Sequence, residues 1–137
     1  MGGGPAGLTA ALYTAREFID TLVIERAAFG GQAAGTECLE NMPGFPEGIG
    51  GMAFSLRLRE QDERFGVELL QAQEVTGVHT QHNYYCVQTV DGEEYSARAV
   101  LVATGSRYKR LNVSGKSELI GAGVHFCATC DGPFYRG

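Results

Sequence analysis

Residues 2–7 read Gly2-Gly3-Gly4-Pro5-Ala6-Gly7, and this stretch decides the fold of the chain. Its glycines have the spacing G-x-G-x-x-G, apolar residues recur at helical spacing from Leu8 to Ile19, and Pro5 suits the first turn of a helix. Positions without a side chain allow main-chain N–H groups and a helix N-terminus to approach a pyrophosphate. The stretch therefore predicts a glycine loop that opens a helix beside a dinucleotide.

Glu25 strengthens this prediction by its position. The run Thr21 to Glu25 is apolar until its last residue, which is typical of a buried parallel strand whose end faces a ligand, and Glu25 comes 18 residues after Gly7. A carboxylate there can accept hydrogen bonds from both ribose hydroxyls, whereas a 2′-phosphate would not fit. The alternative is a glycine turn and a surface glutamate. The fingerprint also needs a preceding strand, where this sequence has only Met1, so we expect a truncated domain.

The next segments predict a loop and a second helix. Residues 27–51 show no period and are rich in glycine, which indicates a long loop of functional importance. Residues 51–65 predict a helix that ends at Gly66. We expect Phe54, Leu58 and Phe65 on one of its faces, and the ion pairs Arg59–Glu63 and Glu60–Arg64 on the other.

Short strands follow the second helix. Residues 67–70 predict one strand, and residues 75–80, 84–90 and 95–97 predict a small antiparallel meander with a turn at Asp91-Gly92. Residues 99–103 are apolar throughout, which predicts a strand buried on both faces that ends at Thr104-Gly105. The element order therefore predicts an α/β fold of the Rossmann-like, dinucleotide-binding type with an inserted antiparallel meander, incomplete in this chain.

A domain boundary is expected after the second sheet region. Residues 106–113 are basic and aperiodic, so we assign residues 1–112 to the first domain and residues 113–137 to the start of another. The second segment is too short to bury a core of its own. Gly121-Ala122-Gly123 lacks the third glycine of the fingerprint and predicts a plain turn.

Cys127 and Cys130 form the one closely spaced pair of cysteines, followed directly by Asp131. Such a pair indicates redox chemistry, and an adjacent carboxyl can exchange the proton that a cycling dithiol needs. Zinc is disfavoured because the histidines lack ligand spacing, so no metal is predicted, while buried structural cysteines and an Asp that caps a helix remain alternatives. Cys38 receives no role, Cys86 is expected to be a small buried residue, and His125 is expected to pack or face solvent.

Composition limits the partners. The 137 residues are 44% hydrophobic and 20% charged, with a net charge of −5 and no basic stripe, which argues against binding to nucleic acid. The longest apolar run, residues 99–103, is too short to span a membrane, and no secretory signal begins the chain. We therefore expect a cytoplasmic protein without membrane or nucleic-acid partners.

The motifs together resemble those of thioredoxin reductases of the low-molecular-weight, bacterial type. They are Gly-Gly-Gly-Pro-Ala-Gly at 2–7, Gly-Gly-Gln at 30–32, Glu-Asn-Met-Pro-Gly at 40–44, Ala-Thr-Gly at 103–105 and Cys-Ala-Thr-Cys-Asp-Gly at 127–132. They occur in the family's order, and the resemblance spans the chain. Met42 stands where the family often has tryptophan.

The resemblance implies the three-layer FAD/NAD(P)-binding form of the Rossmann-like fold and a set of FAD-binding residues. The pyrophosphate would lie along the glycine loop, the adenosine ribose on Glu25, the adenine near the main chain of Val75, and the flavin near the later loops. The implied residues are Gly2, Gly4, Pro5, Ala6, Gly7, Glu25, Gly31, Gln32, Thr36, Asn41, Val75, Ala103, Thr104 and Gly105.

It also implies an electron relay from NADPH through FAD to a Cys127–Cys130 disulfide and on to thioredoxin. Cys130 would lie nearer the flavin, Cys127 would attack the partner, and Asp131 would supply the proton. Residues 106–113 would act as a hinge, and the complete protein would be a homodimer. A complete family member is over twice as long and binds NADPH beyond Gly137, so we expect this chain to be a fragment.

Two other functions remain open from the sequence. One is a related flavoprotein with another donor or acceptor, either peroxiredoxin-reducing or ferredoxin-linked. The other is a non-catalytic FAD-binding fragment.

Overall fold

The computed structural model describes residues 1–107, 109, 112–128 and 132–135, without the side chains of Pro133 and Phe134. The chain divides into two compact units, Met1–Gly105 and Ser106–Gly137. This division falls at the first residue of the segment 106–113, whereas the sequence placed the domain boundary at its end. The assignment of residues 1–112 and 113–137 to two domains stays a prediction.

The first unit contains the predicted helices and strands in the predicted order as far as β5, with one short helix, α2, that the sequence does not predict. Its elements are α1 (Pro5–Arg16), β1 (Leu22–Glu25), α2 (Gly31–Ala34), α3 (Gly51–Arg64), β2 (Glu68–Gln71), β3 (Val75–Gln81), β4 (Tyr84–Thr89) and β5 (Glu94–Ala97). Helix α1 begins with Pro5 in its first turn, where a missing N–H costs no intrahelical hydrogen bond.

The core of this unit lies between α1, β1 and the start of β2. Leu8 and Ala11, one turn apart on α1, pack with Val23, Phe29 and Val67, and all five are buried. Removal of this apolar surface from water stabilises the packing of helix on strand. The core therefore holds the N-terminus of α1 beside the carboxyl end of β1.

Strands β1 and β2 pair in parallel, with Leu22 opposite Glu68 and Glu25 opposite Gln71. On the other side of β1, the Gly2 N–H donates to the Ile24 carbonyl at 2.9 Å. The chain passes from Gly2, beside β1, through α1 and into β1. The unit therefore has the layered α/β arrangement that the glycine loop predicts.

The prediction of a strand at residues 99–103 is wrong, because the structure has no regular strand there. The Met1 amino group donates to the Leu101 carbonyl at 2.7 Å, and the Ala103 N–H donates to the Met1 carbonyl at 2.9 Å. These two bonds involve a single residue as partner, so the segment follows the sheet without becoming a regular strand. Leu101 and Val102 remain 56% and 64% exposed, which contradicts burial on both faces.

Helix α3 has the predicted bounds, and its C-terminus ends as Gly66 predicts. Gly66 adopts φ +79, while its N–H and that of Val67 donate to the Glu63 and Asp62 carbonyls, both at 3.1 Å. These two hydrogen bonds form a Schellman motif, which satisfies carbonyl groups that the end of a helix would otherwise leave unpaired.

The sequence places Phe54, Leu58 and Phe65 on one face of α3 without predicting which residues of the helix are buried. Phe54 and Leu58 are only partly buried and Phe65 is 40% exposed, its ring 6.0 and 5.7 Å from the guanidinium carbons of Arg16 and Arg64. The buried residues are instead Gly51, Ser55 and Asp62.

Gly51 and Ser55 are small residues, and the main chain around α2 lies close to them. A Cβ at Gly51 would overlap the Ala33 carbonyl of α2, and the Ser55 hydroxyl donates to the Gly51 carbonyl at 2.8 Å. Of the predicted ion pairs on the opposite face, Arg59–Glu63 is confirmed at 2.8 Å, but Glu60–Arg64 is not found among the described side chains.

Residues 27–51 are more ordered than the predicted loop. They contain the single turn α2 and a two-residue bridge in which the Leu39 N–H donates to the Ile49 carbonyl at 2.8 Å. Neither feature has enough periodic residues to be visible in the sequence.

The predicted meander is confirmed. Strands β3, β4 and β5 form an antiparallel sheet in that order, with β4 in the centre. Cys86 on the central strand is a free thiol and 2% exposed, as expected for a small buried residue.

The second unit contains short turns. A 3₁₀ helix at Lys116–Glu118 precedes a tight turn at 121–123, which is closed by a bridge between Ile120 and Val124, and a second 3₁₀ helix covers Gly132–Tyr135. Across the described parts of both units, no helix has the length and apolar character needed to cross a membrane.

Asp62 is the least expected residue of the core. It is 1% exposed, and no described group donates a hydrogen bond to its buried Oδ2. Desolvation by burial raises the pKa of this carboxyl from 3.8 to about 6. The folded state thus binds a proton more tightly than the unfolded state, so ionisation of Asp62 destabilises the fold.

We expect Asp62→Asn to stabilise the protein at pH 7.5 by about 1–3 kcal/mol, because one pKa unit corresponds to about 1.4 kcal/mol. The gain should be complete above about pH 6 and disappear below pH 3.8, where the carboxyl is protonated in both the folded and the unfolded wild type. Urea unfolding at a series of pH values measures it. Asp20→Asn, an exposed change of equal charge, is the control; an equal gain in both variants, or one independent of pH, would contradict the assignment.

Candidate functional site: a glycine-loop cradle and a separate redox segment

The glycine loop leaves open space where a ligand can approach. Gly4 caps α1 with an extended backbone and no side-chain cap, and a Cβ at Gly4 would meet nothing within 4 Å. Gly7, by contrast, is required by the fold, since its Cβ would overlap the Gly2 carbonyl. Packing therefore explains Gly7 but not Gly4, and the partial positive charge at the start of α1 faces the space that Gly4 leaves.

The carboxylate of Glu25 is held by the main chain on both of its oxygens. The Gly3 N–H donates to Oε2 at 2.7 Å, and the Ala27 N–H donates to Oε1 at 2.9 Å. A carboxylate has about four acceptor positions, so each oxygen can accept one more hydrogen bond. Glu25 is thus oriented by the protein and retains capacity for two hydroxyl donors.

A second loop lies against the first. The Gly30 N–H donates to the Gly3 carbonyl at 2.7 Å, and a Cβ at Gly31 would lie 3.3 Å from the Gly4 Cα. Gln32 follows in α2 and is exposed. The predicted residues Gly4, Gly31 and Gln32 therefore belong to one region.

Two residues of this region, Gly3 and Phe29, could not be recognised from the sequence. A Cβ at Gly3 would overlap the buried ring of Phe29, so Phe29 packs directly against the glycine loop. Gly3 occupies a variable position of the G-x-G-x-x-G spacing and so carries no signal of its own, and a single phenylalanine in an aperiodic segment is not distinctive.

The residues after position 102 form another wall of the same region. The Ala103 N–H bonds to Met1, and a Cβ at Gly2 would overlap the Ala103 carbonyl and lie 3.0 Å from the Thr104 nitrogen. Gly105 follows with φ +67. The loop 103–105 thus lies beside Gly2, and its role at a cofactor site stays a prediction.

The other predicted cofactor residues are placed less directly. Val75 begins β3 two residues after Gln73, whose N–H donates to the Glu25 carbonyl at 3.0 Å. The Thr36 carbonyl accepts from Gly51 at 2.9 Å, which fixes the main chain after α2. Asn41 is exposed in the loop before α3, and the described contacts do not connect it to the glycine loop.

The redox segment belongs to the second unit. Cys127 is disulfide-bonded and partly buried, while Cys38 and Cys86 are free thiols. The predicted catalytic residues Cys130 and Asp131 lie outside the described residues. Burial, followed by the nearby Glu94 carboxylate, raises the pKa of the Cys86 thiol, so Cys86 is a poor candidate for thiolate chemistry.

The cradle of the first unit fits a dinucleotide on three observations. The helix start at Gly4 opens to unfilled space, the Glu25 carboxylate is preoriented with spare acceptor capacity, and the loops at 30–31 and 103–105 lie against the glycine loop from other sides. Anion binding at such a helix start and ribose binding by such a carboxylate are the usual roles of these features. In the described part of the chain, no three His, Cys, Asp or Glu residues cluster as a metal site would require.

Comparison with known proteins defines the class. Residues 1–136 match the family model described as pyridine nucleotide-disulphide oxidoreductase, so the chain belongs to that family. Its fold is the FAD/NAD(P)-binding α/β fold, as the sequence predicts.

Thioredoxin reductases are among the similar proteins of that family. The chain is 45% identical to the Bacillus subtilis thioredoxin reductase, over 100% of the chain and 42% of that protein. It is 46% identical to the Mycobacterium leprae bifunctional thioredoxin reductase/thioredoxin, over 100% of the chain and 30% of that protein. The crystal structure of Lactococcus lactis thioredoxin reductase superposes with a TM-score of 0.81 at 40% identity, covering 99% of this chain and 44% of that one. The chain thus spans less than half the length of these relatives.

Two glycines of one loop should respond differently to the same substitution. Gly7→Ala should lower the free energy of unfolding by about 2 kcal/mol or more, because overlap with the Gly2 carbonyl outweighs the better helix propensity of alanine. Gly4→Ala should change it by less than about 1 kcal/mol, since the new methyl group meets no protein atom. Urea unfolding of both variants measures the difference, and equal losses would show that the described packing of the loop is incorrect.

Proposed function

We propose that this chain is the FAD-binding and redox-active part of a thioredoxin reductase. The observation that carries the proposal is a disulfide-bonded Cys127 in a chain that aligns over its whole length with thioredoxin reductases at 40–46% identity. The dinucleotide cradle of the first unit supports it. Cytoplasmic location and a homodimeric complete protein are part of the proposal.

The cofactor in this proposal is FAD, held by the first unit. The main chain from Gly2 to Gly7 would bind the pyrophosphate, with Pro5 and Ala6 in the first turn of α1, and Glu25 would accept hydrogen bonds from the adenosine ribose. The main chain at Val75 would contact the adenine. The flavin would lie towards Gly31, Gln32, Thr36, Asn41, Ala103, Thr104 and Gly105.

The chemistry of the chain is the opening and closing of one disulfide. Bound FAD would supply electrons taken as hydride from NADPH. The Cys127–Cys130 disulfide takes up two electrons and two protons to give two thiols, and Asp131 is the group that delivers and removes a proton. The Cys127 thiolate attacks the disulfide of thioredoxin, and the Cys130 thiolate then attacks the mixed disulfide, which releases dithiol thioredoxin and restores the Cys127–Cys130 bond.

The two units have different tasks in this cycle. The first would hold FAD, and the second would carry the dithiol between its reductant and its partner. Residues 106–113, of which Tyr108, Arg110 and Leu111 lie outside the described residues, would be the hinge.

The role of the dithiol is tested by Cys130→Ser in the full-length protein. Thioredoxin reduction should fall at least a thousandfold because no intramolecular disulfide can form, while the flavin absorbance of the purified protein stays unchanged. Cys38→Ser, which replaces an exposed free thiol, is the matched control and should keep both properties. Turnover of thioredoxin by Cys130→Ser would refute the proposed relay. A wild-type protein that reduces other acceptors but not thioredoxin would favour a related flavoprotein.

The cofactor site is tested by Gly4→Ala, read out by binding alone. A methyl group where the pyrophosphate approaches the start of α1 should weaken FAD binding at least tenfold, measured by fluorescence titration of the apoprotein. Gly50→Ala, the same substitution at the N-cap of α3, is the control and should leave the affinity unchanged. Equal affinities for the two variants would place FAD elsewhere or exclude it.

A further inference from the structure

One contact in the second unit joins two residues that are ten positions apart on either side of the redox cysteines. The His125 Nε2 atom and the Tyr135 hydroxyl are 2.6 Å apart, a hydrogen bond in which the hydroxyl donates when Nε2 carries no proton. The two rings also meet edge to face, with centroids 5.2 Å apart and planes at 71°. The sequence indicated no chemical role for His125 and gave no signal for Tyr135.

His125 is fixed by the turn that precedes it. The Val124 N–H donates to the Leu119 carbonyl at 2.9 Å, and the Gly121 N–H donates to the Val124 carbonyl at 3.1 Å. Because Val124 is bonded through both its N–H and its carbonyl, the next residue leaves the turn in a defined direction. His125 is therefore presented from an anchored position and is partly buried.

Tyr135 is presented from a short helix. It is the last residue of the 3₁₀ helix Gly132–Tyr135, and its side chain is 62% exposed. The contact therefore links two locally ordered pieces of chain, and the sequence between them contains Cys127, Cys130 and Asp131. We call His125 and Tyr135, with the bond between them, the clasp.

We propose that the clasp is a positioning device that stabilises the disulfide form of the redox segment. This inference rests on the proposed function, in which Cys127 and Cys130 form the disulfide. With the ends of the segment held together, the chain between them has fewer conformations to lose when the disulfide closes. The effective concentration of one thiol at the other rises, and the equilibrium shifts towards the disulfide.

The reaction that the clasp influences is thiol–disulfide exchange. In a glutathione buffer, one glutathione thiolate attacks a sulfur of the protein disulfide and releases a cysteine thiolate, which takes up a proton. A second glutathione thiolate attacks the mixed disulfide, releasing oxidised glutathione and the second protein thiolate, which is protonated in turn. Loss of the clasp should make this reduction more favourable, because it removes an interaction that favours the closed segment.

The test is a redox titration of the full-length protein in glutathione buffers, with free thiols alkylated and counted by mass spectrometry. We expect Tyr135→Phe to shift the equilibrium towards the dithiol roughly three- to tenfold, the range that corresponds to one net hydrogen bond. His125→Ala should shift it similarly, His125→Gln should restore part of the effect through its amide, and the double variant should shift it no further than one single variant. Tyr84→Phe and His82→Ala, exposed residues of the meander region, are matched controls.

Each outcome is decisive because the titration needs neither FAD, NADPH nor thioredoxin. Equal potentials for the clasp variants and the controls would overturn the proposal, and so would additive shifts in the double variant, since a shared bond can be lost only once. Unchanged thermal unfolding in Tyr135→Phe, the smallest of these changes, shows that a shift is local. If Cys127 and Cys130 form no reversible disulfide in the wild type, the proposed function fails and the clasp proposal fails with it, whereas an intact wild-type disulfide with unshifted variants overturns the clasp alone.

Discussion

Two main-chain N–H groups converge on the carboxylate of Glu25, and the arrangement of the first unit depends on this convergence. One comes from Gly3 in the loop before α1, the other from Ala27 just after β1. A single side chain thereby fixes the glycine loop to the carboxyl end of the strand, and Phe29 and Gly30 then pack against that loop. The interaction is charge-assisted and therefore stronger than a neutral hydrogen bond. The residue that would recognise the ligand also builds the site that would hold it.

Much of this unit could be predicted from the sequence because its signals are local. The spacing of glycines from Gly2 to Gly7 marks the start of α1, the acid at the end of an apolar run marks the end of β1, and Asp91-Gly92 marks a hairpin. Each of these follows from backbone conformation or from helical and strand periods, which a single sequence displays. The order of the elements followed from them, and with it the family fold.

What could not be predicted depends on contacts between distant segments. Gly51 and Ser55 lie on the buried face of α3 where residues 30–33 come close to it, and no helical pattern reveals such an approach. Residues 99–103 have the composition of a buried strand, yet Leu101 and Val102 are exposed, and the described main-chain bonds of the segment go to one residue, Met1. The functional residues show the same limit. The roles of Gly3 and Phe29 follow from packing, and Tyr135 becomes a candidate only through its contact with His125, ten residues earlier in the chain.

Cys86 lies on the central strand of the meander and is almost fully buried. Burial also raises the pKa of its thiol, so that little reactive thiolate forms. A thiol reagent can reach it only when the sheet opens, whereas Cys38 is accessible at all times. Within one molecule, Cys38 thus serves as a reference for Cys86. The ratio of their labelling rates reports how often the meander opens. The chain carries its own probe for local opening, independent of the cysteines that would do chemistry.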